Sequence, residues 1–562
     1  MGVDAGSTLP THSSVSRVTP ALAPAALQAA LESFFTDNPR ACVVEDGVVL
    51  FDMALARWSV DASGGRCVLQ LWSEERTLSR TIVALQERSG GLRLEARRFG
   101  QTKPQILRVA PDRDQRTPTA RETGRKRYVQ LLARVLERQF PEWTLSELTG
   151  AADLEHSFGP AYARGLLQRG QTAWAVVAIH GEESQSAIDG LLTIAILWLE
   201  HCRERSAGRR VVEGVKLIAP EGMDGTLRER VVWMHADAAK WELWTLDAAR
   251  EQLEARAGQD GGNVSSRLVH AFRPESVLER FAAGRELVLG MVPAQDRARV
   301  EVLAASPAEV SFRLHGLAFA RIRHGTAAGS FAREDRISFG AGASETPLTD
   351  QTEPLLRELV GRLFASRHPK GSVRDPLYRL QPERWLESVL RLDLAEIESI
   401  LRPVPVYTQV PAMASADRGM LDLLAVTREG RLAVLELKTS EDLHMPLQGL
   451  DYWLRVRALH AAGEIARAGY FPDVQLSPEP PLLYFVAPAL RVHSTLDTVL
   501  RYLAPEVEWR LLALDERWRQ KRAVVFRKSG GGVTRWARVL AGRPEPIVRA
   551  FVSVTHWRHG RV

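Results

Sequence analysis

Cysteine is scarce: Cys42, Cys67 and Cys202 are the only three in 562 residues. An odd, widely spaced set supports neither a disulfide framework nor a zinc site, and it fits a reducing, cytoplasmic setting. Long apolar runs are missing as well. The longest, Leu191–Leu199, falls far short of the ~20 residues that a membrane helix needs. No Gly-rich loop ending in Gly-Lys-Ser/Thr occurs, so the chain is not expected to drive movement along a polymer with ATP by itself. The first twenty residues are rich in Ser, Thr and Pro, lack the apolar core of a signal peptide and are expected to be disordered. Charge of one sign is not in large excess either. Lys and Arg number 74 against 68 Asp and Glu, a net +6 that is compatible with nucleic acid without requiring it.

What the chain does contain is a compact group of chemistry-bearing residues at 420–453, MLDLLAVTREGRLAVLELKTSEDLHMPLQGLDYW. Met420–Thr427 and Arg431–Lys438 read as two strands, with Arg428-Glu429-Gly430 as the turn and Gly430 free to take positive φ. Side chains alternate along a strand, so Glu436 and Lys438 share one face, and Asp422 on the neighbouring strand can reach it. Two carboxylates and an ammonium gathered in this way are costly unless something binds there. A divalent metal with a phosphate is the natural occupant. Gln448 and Tyr452, four apart, project from one face of the helix that follows. Upstream, Pro382 suits a first helical turn and places Glu387 on an amphipathic helix.

The order helix glutamate, strand aspartate, Glu-x-Lys, then Gln-x-x-x-Tyr resembles the PD-(D/E)xK nuclease superfamily, in its RecB-like branch. The residues that carry the resemblance are Glu387, Asp422, Glu436-Leu437-Lys438, Gln448 and Tyr452, over roughly residues 376–527. Leu421 stands where the motif's proline would be. The resemblance implies a restriction-endonuclease-like fold and a Mg²⁺ or Mn²⁺ ion on Asp422 and Glu436, with the Leu437 carbonyl and Glu387 as further ligands. Glu387 is alternatively a proton acceptor. Lys438 would act on the attacking water or on transition-state charge, and Gln448 and Tyr452 would support site and substrate. Packing alone is the competing role for Tyr452. Asp442 and His444 have no assigned role.

The pattern occurs twice. Residues 164–181 parallel 418–438, with Trp174–Ile179 over Leu432–Leu437. Leu217–Pro220 matches Phe485–Pro488, 241–247 matches 509–515, and 131–140 lies over 385–394. In this alignment Ala133 takes the place of Glu387, Ala178 of Glu436, His180 of Lys438, Asp189 of Gln448 and Thr193 of Tyr452, with Gln168 nearest to Asp422. The first copy is thus expected to bind no catalytic metal. Each copy follows a strand-rich stretch, 40–110 and 286–345. Linkers are expected near 111–127 and 366–380, their basic residues either solvated or, in the alternative reading, forming arms that contact phosphate.

The expected architecture is α/β (α+β): tandem restriction-endonuclease-like units, the first degenerate, each preceded by a small strand-rich module. The divisions are 1–20, a disordered N-terminus; 21–115, a strand-rich module; 116–265, the degenerate unit; 266–370, a second strand-rich module; and 371–562, the nuclease-like domain. The expected function is metal-dependent hydrolysis of phosphodiester bonds, in DNA by preference, in repair, recombination or defence. The alternatives are a non-catalytic nucleic-acid-binding or helicase-partner subunit, and an unrelated α/β enzyme or scaffold.

Overall fold

The structure is a computed structural model. It describes residues 23–532 except 46–47, 54–55, 63–65, 73–76, 89–90, 98–104, 112–117, 154, 261–266, 269–270, 327–332, 342–344 and 414–417. The first twenty residues lie outside the described ones. The fold is mixed α/β with four sheets.

The first sheet is an antiparallel module. Helix α1 (Pro24–Asp37) precedes β1 (Cys42–Glu45), β2 (Val48–Asp52), β3 (Arg57–Asp61), β4 (Cys67–Trp72), β5 (Thr77–Arg88), β6 (Gly91–Arg97) and β7 (Gln105–Ala110), in the order β2-β1-β7-β6-β5-β4-β3. Alternation in β4 and β6 buries Leu69, Leu71, Leu92 and Leu94 under Leu27, Leu31 and Phe35 of α1.

The first αβ unit comprises α2 (Pro118–Gln139), β8 (Thr144–Thr149), β9 (Tyr162–Arg169), β10 (Thr172–Ile179), α3 (Gln185–Asp189), α4 (Leu191–Ser206), β11 (Val211–Pro220), α5 (Gly225–Val231), β12 (Lys240–Asp247) and β13 (Gln252–Arg256). Residues 118–127, expected as linker, belong to α2. A two-residue strand, β14 (Arg267–Leu268), then leaves the unit.

The second strand-rich module holds α6 (Pro274–Arg280), α7 (Ala282–Gly290), β15 (Glu301–Ser306), β16 (Glu309–Leu314), β17 (Leu317–Thr326), β18 (Arg333–Phe339), β19 (Thr346–Pro347) and α8 (Glu353–Ser366). It is a five-stranded meander covered by its helices, against seven strands in the first module. Val288–Gly290, expected in a strand, ends α7 instead. Arg367 is not part of a solvated linker. It is fully buried and donates to the carbonyls of Leu314, His315, Leu377 and Leu380 at 2.7–3.0 Å.

The second αβ unit has α9 (Pro376–Arg379), α10 (Pro382–Leu390), β20 (Tyr407–Met413), β21 (Arg418–Val426), β22 (Leu432–Leu437), α11 (Met445–Ala461), α12 (Glu464–Arg467), β23 (Leu482–Pro488), α13 (Leu496–Arg501), β24 (Trp509–Leu514) and β25 (Val524–Gly530). Gly430 turns β21 into β22 at φ 86°, and a Cβ there would meet the Gln475 carbonyl at 2.1 Å.

The two units share one sheet plan. Strands run β8-β9-β10-β11-β12-β13 in the first and β20-β21-β22-β23-β24-β25 in the second, β14 adding an edge strand to the latter. In both, the third, fourth and fifth strands are parallel neighbours and the rest pair antiparallel. Central strands covered on both faces read as near-continuous apolar runs, as β10 does after Thr172 and β22 does apart from Glu436.

One core lies between the two sheets, with α4 and α11 inside it. Residues 191–199 are buried throughout because α4 meets protein on every side, which explains the long apolar run. The units also join through their backbones. Met234 and Leu503, each just past its unit's α5 or α13, form an antiparallel bridge, with His235 N–H donating to the Tyr502 carbonyl and Ala504 N–H to that of Trp233, both at 2.8 Å.

Candidate active site

The β21–β22 ladder runs out at the pair Leu423–Leu435. One step beyond, Asp422 and Glu436 stand opposite each other on the face that carries α11, the face of Leu424, Val426, Leu432 and Val434. The parting of the strands leaves the Leu437 N–H without a backbone acceptor on β21. Asp422 Oδ2 accepts it at 2.9 Å, which pins the carboxylate at the mouth of the hairpin. The contact seen at Leu437 is thus through its N–H. Lys438 N–H donates to the Val486 carbonyl at 3.0 Å, so β22 stays on β23 while it leaves β21.

Glu436 is 2% exposed. Its Oε1 lies 3.1 Å from Lys438 Nζ, and Lys438 Nζ lies 3.6 Å from Asp442 Oδ2. Among the described residues, Glu436 Oε2 is buried with no hydrogen-bond partner, and so is Gln448 Oε1 on α11. Both orphans are acceptors, so what the site lacks is a donor or a cation. Glu387 on α10 is also buried, and Arg384, one turn earlier, donates to its Oε2 at 2.8 Å. Tyr452 is half-buried and packs against the core shared by the two units.

The electrostatics tell the same story. Burial raises the Asp422 carboxyl to about 6, helped by the charge of Glu387 and opposed by the Leu437 N–H, Arg384 and Lys438. Burial, then the neighbouring Asp422 charge, pushes Glu436 well above the usual carboxylate range. At Lys438 burial would lower the ammonium's pKa, but Glu436 and Asp442 outweigh it and raise it. The pair is short of positive charge even with Lys438 beside it.

Among the described residues no three His, Cys, Asp or Glu side chains gather as ligands for one ion. The side-chain donors at the site are therefore the two opposed carboxylates. That set fits a hard divalent cation, which takes oxygen ligands and, if Mg²⁺, keeps several waters and substrate oxygens.

The sequence comparison of the two units needs correcting by register. Val486 pairs with Leu437, and its counterpart Ile218 pairs with Ala178. Ala178 therefore corresponds to Leu437, on the α2 face with Trp174 and Val176. The counterpart of Glu436 is Val177, and that of Lys438 is Ile179. Continuing the β9–β10 pairing, Arg164 faces Val177 and stands where Asp422 does, in place of Gln168. On the helices, Arg203 of α4 lies over Tyr502 as Arg457 of α11 lies over Trp233. Ile194 and Trp198, and not Asp189 and Thr193, thus answer to Gln448 and Tyr452.

These residues plug the first unit. Arg164 is 2% exposed, donates to the carbonyls of Ala151, Tyr162 and Gly159, and lies over the rings of Phe158 and Trp198. A guanidinium occupies the ground that the carboxylate pair holds in the second unit.

Sequence reasoning passed over Arg384 and left Asp442 without a role. Arg384 was legible from its three-residue spacing to Glu387 on a helix. Asp442 carries only the four-residue spacing to Lys438.

The chain matches no protein-family model, and no curated protein matches it. No helix among the described residues is long and apolar enough to cross a membrane.

Proposed function

We propose that the second unit hydrolyses phosphodiester bonds of nucleic acid, DNA first, with a Mg²⁺ or Mn²⁺ ion held by Asp422 and Glu436. We read both αβ units as restriction-endonuclease-like, the first emptied of its chemistry and the second intact. One observation carries this reading: a buried carboxylate oxygen of Glu436 that has no partner among the described residues, opposite Asp422 and beside Lys438. A buried carboxylate oxygen calls for a donor, a water or a cation, and opposite a second carboxylate a cation suits it best.

The bound ion would supply Lewis acidity toward the phosphate and a water of lowered pKa. Lys438 keeps its charge at neutral pH and is anchored at its base by β23, so its ammonium can orient the water and balance charge growing on the phosphate oxygens. Gln448 Oε1, without a partner among the described residues, is open to a donor. Arg384 holds Glu387 at the rim.

The test is cleavage of labelled single- and double-stranded DNA and RNA by wild type and Asp422→Asn, with Mg²⁺, Mn²⁺ or EDTA. Metal-dependent products from wild type alone are expected. Equal products from both proteins would sink the reading. Binding without cleavage of any substrate would favour the other one, a nucleic-acid-binding or helicase-partner subunit.

A further inference from the structure

The five-stranded module does more than precede the second unit: it is seated on the helix that carries Glu387. The His315 ring stacks on Trp385 of α10, with centroids 4.7 Å apart. Gly316, at φ 75°, lies so close that a Cβ would meet the Arg384 carbonyl at 1.9 Å. Arg367 ties both sides together through the carbonyls of Leu314, His315 and Leu380. On β15, Glu301 reaches Arg391, at the end of α10, at 3.4 Å.

Glu301 and Arg313 are cross-strand partners in β15 and β16, so they share the face turned to α10. Arg313 is half-buried. Its hydrogen bond runs from Nε to Ser311 Oγ at 2.9 Å, and no carboxylate among the described residues lies within ion-pair distance of its guanidinium. Glu387 is its foremost charged neighbour, ahead of Arg384, Arg321 and Glu301. Glu387 in turn acts electrostatically on Asp422, raising its carboxyl. A guanidinium withdrawn from water without a paired anion is costly, and its planar fork suits a phosphate.

We propose that Arg313 binds a backbone phosphate of the nucleic acid beside the carboxylate pair, so that the five-stranded module completes the substrate site of the second unit. This rests on the nuclease reading above.

The experiment measures KM and kcat on labelled single- and double-stranded DNA in Mg²⁺, and the salt dependence of binding in EDTA, for wild type, Arg313→Ala, Arg313→Gln and Arg313→Lys. Glutamine retains a donor for Ser311 Oγ and loses the charge, which guards against a variant that fails to fold. Binding by the Ala and Gln variants should weaken about tenfold to hundredfold. The slope of log affinity against log salt should flatten by about 0.9 on duplex or about 0.7 on single strands. Lysine should keep the slope. A wild-type enzyme that cleaves, with Arg313→Gln unchanged in KM and slope, overturns the inference and leaves the nuclease reading standing. A lysine variant as flat in slope as glutamine also overturns it. A wild type that cleaves nothing removes both.

Discussion

Replacing Glu436 with glutamine should stabilise the metal-free protein while abolishing metal-dependent cleavage. Burial, with the charge of Glu387, holds Asp422 at about 6 against an ordinary 3.8, and burial with the Asp422 charge pushes Glu436 well above the usual carboxylate range. An acid whose folded pKa is raised destabilises the fold when ionised. The penalty begins as pH rises past the unfolded value near 4 and is complete above about 6. For Asp422 alone it is on the order of 3 kcal/mol at neutral pH. Glu436→Gln keeps the shape and removes the buried charge whose formation burial and Asp422 both oppose. A gain of about 2 kcal/mol is expected at pH 7.5 in EDTA, a few degrees in melting temperature. The gain should shrink toward pH 5, where the wild-type pair takes up protons. Mg²⁺ or Mn²⁺ should raise the wild-type melting temperature at pH 7.5 and leave the variant's nearly unchanged. Differential scanning fluorimetry across pH 5–8, with and without the ion, reads all of this. A Glu436→Gln protein that melts at or below wild type in EDTA at pH 7.5 would refute the reasoning, since the two carboxylates would then not be opposing each other.

Lys438→Ala should leave Mn²⁺ binding within a few-fold of wild type by titration calorimetry and slow single-turnover cleavage by about 10²–10³, the scale of losing one group that stabilises transition-state charge. Arg164→Ala should destabilise the protein by about 2–4 kcal/mol in urea, because three carbonyls lose their donor, while the cleavage rate per folded molecule stays unchanged. Arg230, buried in α5, donates to both oxygens of Asp451 on α11 at 2.8 and 2.6 Å. Arg230→Ala should cost about 3–5 kcal/mol by leaving that carboxylate unpaired between the units, measured by chemical denaturation.

Much of the second unit was legible in the sequence, because its signals are local. Alternation and a glycine turn bring Asp422, Glu436 and Lys438 together, and the i,i+4 spacing puts Gln448 and Tyr452 on one face of α11. The first unit was legible as a copy but not in register. β10 is apolar on both faces, so nothing in its run marks which residues look toward α4, and a slip of one residue exchanges the faces. α4 is apolar all round for the same reason, and the helix match drifted by five residues. The contacts between units, Arg230 with Asp451 or Arg203 with Tyr502, join positions hundreds of residues apart and leave no local trace. The same holds for the five-stranded module. Its strands could be read, but its seat on α10 could not.

The Met234–Leu503 bridge joins equivalent points of the two units, so the chain is in effect a dimer of itself. Dimers with twofold symmetry meet duplex DNA dyad to dyad and present a cutting centre to each strand. In this molecule one of the two places is taken by Arg164 and Trp198. Under the proposed activity a duplex therefore receives one break per encounter, and a supercoiled circle should accumulate as a nicked open circle before any linear product forms.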